Sequence, residues 1–280
     1  MSGKSGVQPP GSSPGRRDAD SNRDRSATAS REALGEAMPL TQISKSKLAT
    51  SPDLVMLSQP RSVHAERFRR LTTTLVHRHG SSAQVIGITS GLPGEGKSTI
   101  ATNLALAFAA ASNEKTLLVD ADLRRPRIAS LLQIEPALGL SALLTGRIDV
   151  EQAILRVEDS PLDVLPGGAR VESPLELLTS RVAKNLMSDL RRTYSRILID
   201  TPPIVLFSDA DAVGALSDGL ILVVRGGSTP KSAYAEGLAA ITSARVLGVV
   251  LNCAAASLAD RGAYHDSYYY HEYYNERPRR

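Results

Sequence analysis

The sequence predicts an α/β fold, a doubly wound and mostly parallel sheet flanked by helices. Short runs recur after Gly80 that are apolar almost without interruption, as strands buried on both faces are. Longer stretches of helical character separate them, so strands and helices alternate along the chain. The predicted strands cover residues 85–88, 117–119, 197–199, 220–224 and 247–251. The predicted helices cover residues 98–111, 174–191 and 232–243.

The composition excludes several classes of protein. Of 280 residues, 42% are hydrophobic and 22% are charged, as in ordinary globular proteins. The single cysteine, Cys253, rules out a disulfide framework or a cysteine-rich metal site within one chain. The apolar run at residues 104–111 is far shorter than the roughly 20 residues that span a bilayer, and the first residues lack a signal-peptide pattern. We therefore expect a cytoplasmic protein, and a net charge of +4 is too weak to indicate nucleic acid as a partner.

The two ends of the chain differ from its middle. The first residues are mostly Ser, Gly, Pro, Arg, Asp and Ala, a composition that cannot offset chain entropy. Further on, Phe68, Leu71 and Leu75 have the spacing of an amphipathic helix. We predict four segments: a disordered arm (1–38), a lead-in with an amphipathic oligomerisation helix (39–80), the main domain (81–256) and a flexible tail (257–280).

A glycine-rich loop follows the first predicted strand and precedes a predicted helix. Residues 88–99 read ITSGLPGEGKST, which contains the G-x-x-x-x-G-K-S pattern of a phosphate-binding loop. Glycines let backbone N–H groups surround phosphate oxygens, Lys97 is suited to the β- and γ-phosphates, and the Ser98 hydroxyl is suited to Mg²⁺. A plain glycine turn would not explain this Lys-Ser pair. The predicted nucleotide-binding residues of the loop are Gly91, Gly94, Glu95, Gly96, Lys97, Ser98 and Thr99.

Aspartates close two further strands. Asp120 and Asp122 follow the second predicted strand, and Asp200 follows the third. Strand carboxyl ends are where open α/β sheets bind ligands, so these carboxylates are candidates for orienting metal, water or an attacking hydroxyl. Each aspartate taken singly has an alternative, since an Asp at a strand end also caps a following turn or helix. Together with the loop they indicate nucleotide chemistry.

Taken together, these motifs resemble the bacterial tyrosine kinases of polysaccharide export. These are P-loop NTPases of the MinD/ParA-like superfamily and are unrelated in fold to eukaryotic kinases. The resemblance runs from about Arg61 to the C-terminus. It depends on TSGLPGEGKST (89–99), LLVDADLRRP (117–126), ILIDTPP (197–203), GVVLN (248–252) and the terminal tyrosines.

The resemblance implies a role for individual residues. Lys97 and Ser98 correspond to the Walker A lysine and Mg²⁺ ligand, and Asp200 corresponds to Walker B. Asn252 lies where relatives contact adenine. The implied catalytic residues are Lys97, Asp120, Asp122 and Asp200, and the implied metal ligands are Ser98, Asp120 and Asp200.

The implied reaction is phosphoryl transfer from MgATP to tyrosine, an autokinase activity that acts in trans and regulates exopolysaccharide or capsule biosynthesis and export. Asp122 or Asp120 would orient or deprotonate the phenol, because a phenol with a pKa near 10 is a poor nucleophile at neutral pH. The implied phosphoacceptors are Tyr264, Tyr268, Tyr269, Tyr270, Tyr273 and Tyr274. A sticky aromatic tail is the alternative for this cluster.

The resemblance also implies partners. Relatives form ring-like homo-oligomers through a helix with the pattern E-x-x-R-x-x-R, of which Glu66 and Arg69 match while Thr72 replaces the last arginine. The chain resembles the split type that needs a separate membrane-bound polysaccharide co-polymerase as activator, which would hold it at the inner membrane. A cognate tyrosine phosphatase completes the expected set.

Two other functions compete with this one. A positioning or partitioning ATPase of the MinD/ParA type has an extra lysine early in its loop, where Leu92 stands here. A nucleotide-gated scaffold would need Lys97 but not the tyrosines.

Overall fold

The computed structural model describes residues 3, 41–43, 51–80, 84–112, 114–134 and 138–254. The predicted tail at residues 257–280, with its six tyrosines, lies outside the described residues, as does the predicted arm apart from Gly3.

The described residues form strands and helices in alternation. The strands are β1 (Thr41–Ile43), β2 (Val85–Ser90), β3 (Thr116–Asp120), β4 (Leu155–Val157), β5 (Leu162–Leu165), β6 (Arg196–Asp200), β7 (Gly219–Arg225) and β8 (Val246–Asn252). The helices are α1 (Val55–Ser58), α2 (Val63–His79), α3 (Lys97–Ser112), α4 (Ile128–Leu131), α5 (Leu140–Leu144), α6 (Val150–Ala153), α7 (Pro174–Thr179), α8 (Arg181–Thr193), α9 (Asp209–Gly214) and α10 (Lys231–Ala239).

Within the described residues the strands form one sheet in the order β1-β4-β5-β3-β6-β2-β7-β8. Neighbouring strands are parallel except β4 and β5, which are joined as an antiparallel pair. The predicted doubly wound, mostly parallel sheet is thereby confirmed. Because parallel strands end at one edge, the segments that follow β2, β3 and β6 meet there.

Alternate residues of the central strands enter two different cores. In β6, Leu198 packs into the core beneath α2 and α3, while Ile197 and Ile199 pack into the core beneath α8. All three side chains are almost completely buried. This explains the uninterrupted apolar runs of the central strands, because a strand covered on both faces has no position left for a polar side chain. The run at residues 247–251 was also predicted to be buried on both faces, and this is wrong, because β8 is an edge strand in which Val249 and Leu251 are exposed.

Three strands, five short helices and one helix break differ from the sequence prediction. The helices α1, α4, α5, α6 and α9 were not predicted, and each has four to six residues. The strands β1, β4 and β5 were not predicted, and each has only three or four residues. The single helix expected over residues 174–191 is two helices, α7 and α8, separated at Ser180. The Ser180 hydroxyl accepts a hydrogen bond from the Ala183 N–H at 3.1 Å, so Ser180 begins a new helix as its N-cap.

The predicted amphipathic helix is confirmed as α2. Ser62 caps it by accepting a hydrogen bond from the Ala65 N–H at 3.1 Å. Phe68 and Leu71 pack against the first core, and Leu75 is buried in it. No helix within the described residues combines the length and the apolar character needed to cross a bilayer.

Candidate nucleotide-binding and catalytic site

The sequence-predicted motifs meet at the carboxyl edge of the sheet. Strand β6 lies between β3 and β2, and its last residue, Asp200, pairs with Asp120 of β3 and Ile88 of β2. The glycine-rich loop leaves β2 immediately beyond this point and enters α3 at Lys97. The strand order therefore brings the loop and the aspartates together, although more than 100 positions separate Lys97 from Asp200.

The loop has a backbone conformation that requires glycine. Gly94 has φ +80° and Gly96 has φ +92°, values that side-chain-bearing residues rarely adopt. A Cβ atom on Gly96 would also collide with the amide nitrogen of Asn252. That amide group donates a hydrogen bond to the backbone oxygen of Glu95 at 2.9 Å, so the end of β8 closes over the loop.

Glu95 holds the loop from inside. Its carboxylate is buried, accepts a hydrogen bond from the Leu92 N–H at 2.7 Å and accepts another from the Thr229 hydroxyl. Arg225 donates to the Gly94 carbonyl at 2.9 Å from the outside. Glu95 therefore supports the loop, and its side chain is not among those that line the cleft. Its predicted nucleotide-binding role stays a prediction.

Lys97 lies among carboxylates. Its Nζ atom donates to Asp122 Oδ2 at 2.9 Å and lies 3.9 Å from Asp200 Oδ1 and 3.4 Å from Ser98 Oγ. Burial acts to lower the pKa of Lys97, but the negative charges of Asp200 and Asp122 outweigh it, and the net pKa is raised. Lys97 therefore carries its positive charge at neutral pH.

Asp120 and Asp122 have different environments. Asp120 Oδ2 accepts the N–H groups of Arg127 and Ile128 at 2.8 and 3.0 Å, and Oδ1 accepts the Asp122 N–H at 3.2 Å. Asp120 is fully buried, and burial and the charge of Asp200 raise its pKa against these bonds. Asp122 instead lines the cleft beside Lys97. Of the two candidates for the base, Asp122 lines the cleft and Asp120 does not.

Asp200 fits a metal ion. It is buried, yet neither of its carboxylate oxygens receives a hydrogen bond from the described residues. Burial raises the pKa of Asp200, and the nearby positive charge of Lys97 acts against this. A buried carboxylate with unused oxygens is costly unless a cation or water compensates it, and Mg²⁺ prefers such hard oxygen ligands. Asp200 and Ser98 are thus the residues that would hold Mg²⁺, directly or through water.

A cleft of about 1040 Å³ opens above these residues. It is lined by the loop, Lys97, Ser98 and Thr99 on one side and by the segment after β3 on the other. A second cleft of about 680 Å³ adjoins it, with Phe68 of α2 and Asn252 of β8 in its wall. The two clefts share Gly96 and Thr99 and together give room for a nucleotide with its phosphates at Lys97.

The predicted oligomerisation residues pair within their own helix. Arg69 forms an ion pair with Glu66 at 3.1 Å and donates to the Pro60 carbonyl at 2.5 Å. Thr72 is buried and donates its hydroxyl to the Arg69 carbonyl at 2.7 Å. The role of this helix in joining subunits stays a prediction. The six predicted phosphoacceptor tyrosines lie outside the described residues.

Several arginines at the cleft were not predicted as site residues. Arg127, Arg170 and Arg225 line it together with Arg124 and Arg125. Arg125 and Arg127 lie inside the LLVDADLRRP motif or just after it, so their position was available in the sequence. Arg170 follows β5, one of the strands that were not predicted, and nothing in the sequence pattern connects it to the loop.

Comparison with known proteins agrees with this geometry. A family model described as an AAA domain matches residues 83–243. The tyrosine-protein kinase YwqD of Bacillus subtilis is 35% identical over 206 residues, which are 71% of this chain and 85% of that protein. The succinoglycan biosynthesis transport protein ExoP of Rhizobium meliloti is 34% identical over 79% of this chain but only 28% of its own length.

Solved structures give the same result. The chimerical protein CapA2B2 has a TM-score of 0.70 and 35% identity, and the match covers 81% of this chain and 98% of that chain. The kinase domain of the Escherichia coli tyrosine kinase ETK has a TM-score of 0.68 and 27% identity, covering 72% and 80%. The cell division ATPase MinD of Pyrococcus furiosus matches at a TM-score of 0.51 and 28% identity, covering 60% and 71%. The chain therefore belongs to the bacterial tyrosine kinase family, on a P-loop fold of the MinD/ParA type.

Proposed function

We propose that this kinase transfers the γ-phosphoryl group of ATP, with Mg²⁺, to the tyrosines between Tyr264 and Tyr274 of a neighbouring copy. The observation that carries the proposal is the cluster at the loop, where Lys97 Nζ lies 2.9 Å from Asp122 and 3.9 Å from Asp200, whose oxygens receive no hydrogen bond from the described residues. A phosphate-binding cation, a carboxylate in the lining of the cleft and a carboxylate suited to a metal are the parts that phosphoryl transfer needs.

Each residue then has a task in the reaction. The loop N–H groups and Lys97 hold the β- and γ-phosphates, and Ser98 and Asp200 hold the metal. Mg²⁺, when bound, neutralises charge on the phosphates. As the phenol oxygen bonds to the γ-phosphorus and the bond to the ADP oxygen breaks, Asp122 accepts the phenolic proton at its carboxylate. Lys97 must leave Asp122 for the phosphates, which frees that carboxylate to act.

A complementation experiment tests the proposal. One chain carries Lys97→Met, and the other carries phenylalanine in place of the six tail tyrosines. Neither chain alone should label itself with ATP that is radioactive at the γ-phosphate, whereas a mixture should label the Lys97→Met chain in its tail. If the mixture and the unmodified chain both released free phosphate and neither labelled any protein, the proposal would be contradicted. That result would favour a MinD-type ATPase, the second candidate function, which the similarity to MinD supports.

We further infer that the kinase acts in capsule or exopolysaccharide synthesis. The name of ExoP, a succinoglycan biosynthesis transport protein, supports this role. ExoP is much longer than the matched region, which supports a membrane-bound co-polymerase as a separate activator here and a peripheral place at the inner membrane. A cognate tyrosine phosphatase belongs to the same proposal, because a phosphorylated tail needs a route back.

Assembly into a ring-like homo-oligomer through α2 is also part of the proposal. Glu66 and Arg69 lie on this helix and are partly exposed. Light scattering on the Glu66→Ala/Arg69→Ala variant should show a smaller particle than the unmodified chain.

A further inference from the structure

Three cationic side chains at the cleft have no task in the reaction as described. Arg125, Arg127 and Arg170 are exposed and line the same cleft as Lys97 and Asp122. Across the part of the chain that the structure describes, their guanidinium groups make no ion pair and no hydrogen bond. Three arginines on one rim form a basic surface that is open to an anionic ligand.

The backbone that carries two of these arginines is fixed by the site itself. The Arg125 N–H donates to Asp122 Oδ1 at 3.0 Å, and the Arg127 N–H donates to Asp120 Oδ2 at 2.8 Å. The segment after β3 is therefore wrapped around its own aspartates, with its arginine side chains directed to the rim. A ligand held by these arginines lies next to Asp122.

Close packing brings the third arginine to the same place. Gly167 lies against Pro126, and a Cβ atom on Gly167 would come within 2.9 Å of the Pro126 Cβ and 3.3 Å of the Asp120 carbonyl oxygen. Only glycine lets the loop after β5 approach so closely. Arg170 lies three residues further on and therefore lines the same cleft as Arg125 and Arg127.

Arg124 marks the difference between a structural arginine and a free one. It forms two hydrogen bonds with buried Asp209, at 2.5 and 3.2 Å, and stacks over Phe207 at 4.3 Å. Its charge is neutralised inside the fold. The three rim arginines have no such carboxylate.

The chain itself supplies a short anionic segment, which lies between Arg261 and Arg277. Residues 264–276 contain Asp266, Glu272 and Glu276 and no lysine or arginine. The nucleotide phosphates already have the loop and Lys97, so the rim charges are left for another ligand. We infer that Arg125, Arg127 and Arg170 dock this acidic acceptor segment of a second copy and so bring its tyrosines to Asp122.

The inference depends on the proposed function, because it names the substrate determinant of that same site. Each exposed ion pair contributes little, but three of them acting on one segment correspond to about a tenfold change in KM or Kd. Salt should weaken the docking, since exposed charges are screened within about 8 Å at physiological ionic strength.

The experiment uses the full chain with phenylalanine in place of its six tail tyrosines, so that only an added peptide is labelled. The probes are a synthetic peptide of residues 263–276 and a matched neutral peptide with Asp266→Asn, Glu272→Gln and Glu276→Gln. The rim variant is Arg125→Ala/Arg127→Ala/Arg170→Ala. The control variant is Arg147→Ala/Arg181→Ala/Lys184→Ala, which removes three exposed cations that do not line the cleft. A second rim variant, Arg125→Lys/Arg127→Lys/Arg170→Lys, keeps the positive charges and so distinguishes a loss of docking from misfolding.

For the acidic peptide, the KM should rise about tenfold in the rim variant, with kcat and the KM for MgATP changed by no more than about twofold. The control variant should behave as the parent does, and the lysine variant should recover part of the loss. The neutral peptide should have the higher KM with the parent and with the control variant, whereas the two peptides should have similar KM values with the rim variant. Equal KM values for both peptides with the parent would overturn the inference. So would a rise in the rim variant's KM for MgATP as large as its rise for the acidic peptide, because the arginines would then bind the nucleotide.

Fluorescence anisotropy of the labelled peptides, measured with MgADP present, separates the docking inference from the kinase proposal. Selective binding of the acidic peptide without any phosphorylation would retain the docking surface and contradict the kinase proposal. Phosphorylation of both peptides with equal efficiency would retain the kinase and contradict the docking surface. Neither binding nor phosphorylation would contradict both.

Discussion

At the scale of single residues, the site is a group of three carboxylates around one lysine. Asp120, Asp122 and Asp200 surround Lys97, and each raises the pKa of that amine. The cluster carries more negative than positive charge, which favours the arrival of a metal ion and lowers the cost to folding of removing the Asp122 carboxylate. The three aspartates differ in what they contact, so their substitutions should have separable effects.

Asp122→Asn should abolish catalysis without unfolding the protein. Removal of the cleft carboxylate should lower the initial rate of label transfer from ATP by about 10² to 10⁴. The melting temperature should stay within about 2 °C of the unmodified chain, since the loss of a buried hydrogen bond is offset by lower repulsion within the cluster.

Asp120→Asn should destabilise the protein and leave catalysis largely intact. The amide replaces a carboxylate that accepts three backbone N–H groups, and its NH₂ group then faces a donor. A loss of about 1–3 kcal/mol in unfolding free energy should lower the melting temperature by several degrees. Differential scanning calorimetry of both variants, with the rate assay beside it, tests the pair. If Asp120→Asn lost activity at unchanged stability, Asp120 rather than Asp122 would be the base.

At the scale of elements, the sequence predicted every strand that is apolar on both faces. The missed pair, β4 and β5, contains charges. Asp163 of β5 is buried because Arg156 of β4 pairs with both of its oxygens, at 3.0 and 3.2 Å, and the Tyr194 hydroxyl donates to it at 2.8 Å. The partners of Asp163 lie 7 and 31 positions away in the sequence. The local sequence therefore suggests a surface aspartate, and no hydrophobic periodicity indicates that the residue is buried.

The site was predicted to the extent that it consists of local motifs. The loop and the aspartates at strand ends carry their spacing in the sequence. The support that Glu95 gives to Leu92 and the approach of Arg170 both depend on tertiary contacts, through Thr229 in one case and Gly167 in the other. Such contacts join residues that are distant in the sequence and leave no periodic pattern. They can be recognised only once the order of the strands in the sheet is known.

One tether between elements should show a defined pH dependence. Asp211 of α9 accepts the N–H groups of Thr242 and Ser243, both at 2.8 Å, and their hydroxyls at 2.6 and 2.7 Å, which holds the segment that enters β8. Partial burial acts to raise the pKa of Asp211, but these hydrogen bonds outweigh it and the net pKa is lowered. The ionised form is therefore more stable in the folded protein.

A group with a lowered folded-state pKa contributes stability above its unfolded pKa of about 3.9 and loses it as the pH falls through the lower folded value. Asp211→Ala should therefore cost about 1 kcal/mol at pH 7, a modest amount because the group is exposed to solvent. The difference in urea midpoint between variant and parent should shrink below about pH 4. A difference that is constant from pH 7 to pH 3 would assign the effect to packing instead of charge.

At the scale of the whole molecule, the strand order unites chemistry from distant parts of the chain. Asp200 ends the strand between β3 and β2, and Asn252 ends the strand next to β7, so the aspartates and the Asn252 amide flank one loop. The fold stores an unfavourable feature at this junction, since Asp200 is buried without hydrogen-bond partners from the described residues. In the proposed function a magnesium nucleotide would remove it, and ligand binding and global stability would then be coupled.

Asp200→Asn tests this coupling. MgADP at about 100 times its Kd should stabilise the parent by about 2.7 kcal/mol, which raises its melting temperature by about 5–10 °C. ADP with EDTA should give a smaller rise. In Asp200→Asn the two rises should become equal, because the amide no longer attracts the metal. The melting temperature without ligand should not fall, because a buried charge has been removed. Asp189→Asn, a change at an exposed ion pair far from the cleft lining, should keep the full magnesium-dependent rise. If Asp200→Asn kept that rise as well, the metal would be held without Asp200, and its unpartnered oxygens would need another explanation.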